Sequence, residues 1–156
     1  MRHVMRLASA VFGWVLAFGA VASVADEAQV ARGAYRVNGP VACGSCHTPL
    51  GPDFKPIADK TLAGGFHFDE AAFSTYSANI TSDKETGIGS WTDAEIARAI
   101  TEGIGKDGHP LAPPMAYAYY KNMTAEDVAA VVAYLRTVPP ISNKVERTAF
   151  QQKAFP

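Results

Sequence analysis

The run Cys43-Gly44-Ser45-Cys46-His47 constrains this 156-residue chain more than any other feature, and it uses both of its cysteines. Two thiols three positions apart can add across the two vinyl groups of one haem. A histidine in the next position is then held beneath the iron as an axial ligand. The three groups must reach one flat macrocycle, so the chain around them has to fold about that plate. Two other uses of a CxxC pair are weaker. A redox dithiol wants a thioredoxin-like βαβ setting, which the sequence lacks. A zinc site wants a second ligand pair, and His3, His67 and His109 are scattered without finger spacing.

The N-terminus points to the compartment where haem is attached covalently. Arg2 and Arg6 precede an uncharged, mainly apolar run from Leu7 to Ala22, followed by the small-x-small sequence Ser23-Val24-Ala25. Residues 1–25 therefore read as an export signal, with a mature chain starting at Asp26 and a periplasmic destination. Retained as an anchor, the apolar run would fall short of the roughly 20 residues a spanning helix needs. Removing the signal takes away two of the 14 Lys and Arg and none of the 15 Asp and Glu, which makes the chain more acidic than its formal −1. No basic block remains, so nucleic acid is excluded as a partner on electrostatic grounds.

Residues 26–140 read as one small all-α domain with three main helices. The first covers roughly residues 27–38, with Val30, Ala34 and Val37 at helical spacing and a stop at Asn38-Gly39-Pro40. The second starts at Thr92, which forms a capping box with Glu95 and a hydrophobic staple from Trp91 to Ile96; Gly103 and Gly105 end it. The third starts at Thr124, and Val128, Val131, Val132, Leu135 and Val138 make one apolar stripe up to Pro139-Pro140. Arg136 suits the negative end of this helix. Residues 48–90 carry Pro49, Pro52, Pro56, Gly64, Gly65, Gly87 and Gly89. So long an irregular stretch makes sense if it wraps a cofactor that serves as core. Residues 141–156 read as a polar tail draped on the surface.

An electron-carrying haem needs a sixth ligand. Met115 follows Leu111-Ala112-Pro113-Pro114, and two prolines make a stiff loop that can hold a weak thioether against iron. Met123 competes as a staple beside the Thr124 cap. His109, in the loop Gly105-Lys106-Asp107-Gly108-His109-Pro110, is the rival ligand, although such a loop is the usual composition of a solvent turn. His67, between Phe66 and Phe68, reads as a packed or surface residue. Trp91, Tyr117, Tyr119 and Tyr120 read as core packing around these loops.

With these residues in place, the chain resembles class I c-type cytochromes, particularly the cytochrome c domains of bacterial alcohol and aldehyde dehydrogenase complexes. The matching segments are Arg32-Gly33-Ala34-Tyr35, the haem motif with Thr48-Pro49, Ala78-Asn79-Ile80-Thr81, Thr86-Gly87-Ile88-Gly89, Trp91 to Ile96, Asp107-Gly108, Pro113-Pro114-Met115 and Asp127 to Leu135. The resemblance implies one covalent haem c on Cys43 and Cys46, with His47 and Met115 as axial ligands. It also implies that the first and last helices cross near Gly33 and Tyr134–Leu135. It differs in two ways: the relatives usually carry three such domains in one chain, and the residue after the distal Met is often Pro where this chain has Ala116. The function expected is single-electron transfer from a dehydrogenase to a terminal oxidase or another cytochrome, with no catalysis of its own. Membrane association would come through a partner complex or an uncleaved N-terminus. The competing function is a haem sensor or peroxidatic protein with an open sixth coordination site.

Overall fold

The computed structural model describes residues 19–71 and 73–146. The N-terminal part of the expected export segment and the end of the tail lie outside them. The chain runs α1 (Gly19–Asn38), α2 (Gly44–His47), a single 3-10 turn at Ala58–Lys60, β1 (His67–Asp69), β2 (Ser74–Tyr76), α3 (Asp93–Glu102), α4 (Tyr117–Tyr120) and α5 (Ala125–Thr137). The three expected helices are α1, α3 and α5. The backbone of α1 begins earlier than expected, since no Pro or polar turn interrupts the Ala-rich sequence after Gly19. Among the described residues no helix is long and apolar enough to cross a membrane.

Helices α1 and α5 make the most extensive helix–helix contact. They cross where Gly33 removes the obstacle: a Cβ there would lie 1.9 Å from the Ala130 carbonyl oxygen and 2.7 Å from Tyr134 Cβ. Val37, Val131 and Leu135 are buried at this crossing, joined by Ile96 and Ile100 of α3 and by Leu62 and Ile88 from the long loop. Full burial of each such side chain contributes about 1.5–3 kcal/mol. Ionic contacts pin the same helix pair. Asp127 accepts from Arg32 Nε at 2.7 Å and from Arg36 Nη2 at 2.8 Å, while Arg32 Nη1 reaches Glu126 at 2.6 Å. The Arg32 guanidinium, with Arg36, holds the Asp127 carboxyl below the usual carboxylate range.

The capping signals take their expected form at α3. Thr92 Oγ1 accepts from Glu95 N–H, and Glu95 accepts from Thr92 N–H at 2.7 Å. At α5 only half of the pattern forms. Thr124 Oγ1 accepts from Asp127 N–H, but the Asp127 carboxylate turns to the two arginines instead of the cap. Arg136 lies in the last turn of α5, as expected, and has a second role there. It reaches across to Asp93 Oδ1 at 2.7 Å, to the Trp91 carbonyl at 2.5 Å and to the Ile88 carbonyl at 3.3 Å. It therefore ties the end of α5 to the entry of α3.

The long loop is less irregular than its Gly and Pro content suggests. It holds an antiparallel hairpin pairing His67 with Tyr76, Phe68 with Thr75 and Asp69 with Ser74. His67 stacks on Tyr76 with ring centroids 4.3 Å apart, and its Nε2 bonds Ser74 Oγ at 2.9 Å.

Candidate cofactor site

The turn α2 carries the two cysteines and the histidine. His47 N–H donates to the Cys43 carbonyl at 2.9 Å, and Cys43 N–H donates back to the Val37 carbonyl at the end of α1. Cys43 and Cys46 are free thiols, both half-buried. Burial pushes the Cys43 thiol up to about 11. A redox dithiol works through a thiolate, and burial shifts Cys43 away from that form. Among the described residues no three His, Cys, Asp or Glu side chains converge.

His47 is oriented by backbone from elsewhere in the chain. Its Nδ1 lies 2.7 Å from the Ala78 carbonyl oxygen. A carbonyl can only accept, so Nδ1 carries the proton and Nε2 keeps its lone pair for a metal. Burial lowers the His47 pKa, and the bond to the Ala78 carbonyl opposes that shift. Residues 62–65 bring the two partners together. Gly64 N–H donates to the His47 carbonyl at 2.7 Å, Gly65 N–H to the Ser77 carbonyl at 2.9 Å, and Ile80 N–H to the Leu62 carbonyl at 3.0 Å. Gly64 sits at φ +75°, and a Cβ there would be 2.4 Å from the Ala78 carbonyl carbon. Only glycine lets these segments approach closely enough to seat the Ala78 oxygen on the imidazole. Sequence reasoning assigned no role to Ala78 or Gly64; the Gly64-Gly65 pair was the available signal.

Met115 stands at the end of a tight turn in which its N–H donates to the Ala112 carbonyl at 3.0 Å across Pro113-Pro114. Its side chain is half-buried against the same apolar cluster that Cys43, Ile80, Trp91 and Tyr120 pack on. The attachment turn, through Cys43, and the Pro-Pro-Met loop, through Met115, thus pack on the same cluster. Tyr120 of α4 ties the chain just before the attachment turn, its hydroxyl donating to the Val41 carbonyl at 3.1 Å. Met123 also packs on the cluster, beside the α5 cap. His109 projects from its turn, 82 % exposed, with Asp107 3.5 Å away. Of the four aromatics expected in the core, Trp91 and Tyr120 pack there, and Tyr117 lies against Gly103. Tyr119 does not: it is 79 % exposed.

A family model described as Cytochrome c matches residues 40–139. The chain belongs to the cytochrome c family. Among its relatives is the cytochrome c subunit of a quinone alcohol dehydrogenase from Gluconacetobacter polyoxogenes, 40 % identical over 120 residues, which cover 76 % of this cytochrome and 24 % of that protein. The fructose dehydrogenase cytochrome subunit of Gluconobacter japonicus is 37 % identical over 115 residues, 73 % of this chain and 22 % of the relative. The gluconate 2-dehydrogenase cytochrome c subunit of Pantoea cypripedii is 34 % identical over 130 residues, 82 % of this chain and 28 % of the relative. The chain therefore spans less than a third of the length of these relatives. Family membership implies a covalently bound haem c, and Cys43 and Cys46 have the spacing of its attachment motif. The residues present fit that group: two free thiols on one helical turn, followed by an imidazole whose other nitrogen is already committed.

Proposed function

We propose that this cytochrome c chain is a single-haem electron carrier working in the periplasm. In it Cys43 and Cys46 hold the haem, His47 is the proximal ligand and Met115 the distal one. Bound there, the haem supplies reversible one-electron chemistry at iron. The protein's part is to fix the imidazole through Ala78, to present the thioether on a stiff turn and to exclude water with the cluster around Ile88, Ile96 and Leu135. Electrons would come from a dehydrogenase and leave to an oxidase or another cytochrome, and attachment to such a complex would bring the chain to the membrane. The dehydrogenase subunits among its relatives support the donor, and residues 1–25 support the location.

One observation carries the reading. The Nδ1–H of His47 is donated to a backbone carbonyl at 2.7 Å, the arrangement that orients a metal-bound imidazole and raises its basicity. The test is a reductive titration of the exported protein. We expect one electron taken up per chain, and a pigment that stays with the polypeptide after denaturation. Pigment that is extracted on denaturation, or a different electron count, would contradict the proposal.

A further inference from the structure

Next to Ala78 lies a buried amide that the ligand set does not use. Asn79 is 3 % exposed, and its side chain has every hydrogen-bonding position filled. Nδ2 donates to Thr86 Oγ1 at 3.0 Å and to the Ile141 carbonyl at 2.8 Å. Oδ1 accepts from Thr81 N–H at 2.9 Å and from Thr81 Oγ1 at 2.7 Å. Thr81 is itself fully buried, and its hydroxyl accepts from Ile141 N–H at 3.2 Å.

The bonds close into a circuit. Asn143 N–H donates to Thr86 Oγ1 at 3.0 Å, and Asn143 Nδ2 donates to the Ala63 carbonyl at 2.9 Å. Ala63 adjoins Gly64, whose N–H bonds the His47 carbonyl; Asn79 adjoins Ala78, whose oxygen accepts from the His47 ring. The start of the tail, expected only to drape the surface, is thus a strap across the back of the segment that orients His47. Asn79 and Thr81 are its buried members, and breaking either leaves a desolvated group without a partner, so the network holds one geometry.

We propose that Asn79 is a positioning residue: by clamping residues 78–81 between Thr86 and the Ile141–Asn143 strap, it fixes the Ala78 carbonyl on His47 Nδ1 and thereby sets the reduction potential. The proposal rests on the reading of His47 as the proximal ligand. A firm Nδ1–H···O=C bond makes the imidazole a stronger donor, which favours oxidised iron and lowers the potential. Loosening the carbonyl therefore raises it. General loosening of the fold acts in the other direction, because water admitted to the site favours the more highly charged oxidised state and lowers the potential. The sign of the shift separates positioning from mere structural support.

The experiment compares the exported holoprotein with its Asn79→Ala variant by redox titration and by NMR of the 15N-labelled histidine rings. Thr81→Val, which removes one hydroxyl from the same circuit with little change in volume, is the second variant should Asn79→Ala fail to accumulate. We expect covalent pigment retained, a higher potential in either variant, by a smaller shift for Thr81→Val, and faster Nδ1–H exchange at His47. An unchanged or lowered potential, or an unchanged exchange rate, would overturn the proposal. A parent protein without covalent pigment would instead overturn the reading of His47 on which it rests.

Discussion

The two sides of the candidate haem site are built in different ways. On the His47 side, the ligand is oriented by a backbone carbonyl 31 residues away, which is held by a buried polar circuit that draws on residues 63–64, 78–86 and 141–143. On the Met115 side, the holding is local: one turn stiffened by Pro113-Pro114, apolar packing, and a single side-chain latch from Tyr120 to Val41. The difference follows from what the two proposed ligands need. A neutral imidazole needs its second nitrogen satisfied and its tautomer fixed, which calls for a polar partner. A thioether has no proton to place and needs only a stiff apolar mount. With the ligand set proposed above, the His47 side would be the place to tune electronics, and the Met115 side the place where coordination opens.

Breaking the distal side outright has the largest expected effect. Met115→Ala should keep the covalent pigment and leave the iron able to bind carbon monoxide when reduced; a variant as indifferent to the gas as its parent would remove Met115 from the ligand set. The proximal side is best broken at Gly64. Gly64→Ala puts a Cβ against the Ala78 carbonyl at a left-handed φ, so denaturant unfolding should show a loss of about 3 kcal/mol. A loss below about 0.5 kcal/mol would mean that the two segments can part freely.

Asp127 belongs to neither side and sharpens the comparison as a control on the α1–α5 frame. Its carboxyl is held below the ordinary value by Arg32 and Arg36, so its contribution to stability is present above the unfolded carboxylate pKa of about 3.9 and is lost as pH falls through the lower folded value. Asp127→Asn should flatten that acid limb in pH-dependent unfolding while leaving carbon monoxide reactivity unchanged. An acid limb identical to the parent's would place the loss at other carboxylates. The smallest effect is expected at the latch. Tyr120→Phe deletes one hydrogen bond and should cost about 1 kcal/mol, with slow carbon monoxide binding appearing where the parent shows none. No change in either quantity would leave Pro113-Pro114 as the sole mount.

The same contrast explains what was legible in the sequence. Local devices could be read directly: the Thr92–Glu95 capping box, the Val128-to-Leu135 stripe and the Pro-Pro-Met turn each announce themselves within a few residues, whereas the Gly33 crossing came only from the resemblance. The proximal side could not be read, because its key group is the carbonyl of an alanine, and a backbone oxygen has no residue signature. Asn79 and Thr81 stood out in the resemblance, but their partners at residues 141–143 fell in what composition marked as tail. The long-range partners of Asp127 and Arg136 were hidden for the same reason. Each occupies a position with a respectable local use, and each is taken by a stronger partner far along the chain. The hairpin at residues 67–76 escaped because three-residue strands are too short to show alternation.

The most direct test of the account is the absorption spectrum of the exported protein, oxidised, reduced, and reduced under carbon monoxide. Iron closed by His47 and Met115 predicts a sharp reduced spectrum that carbon monoxide does not alter. A spectrum that shifts under the gas would contradict the closed carrier and put the sensor or peroxidatic reading in its place.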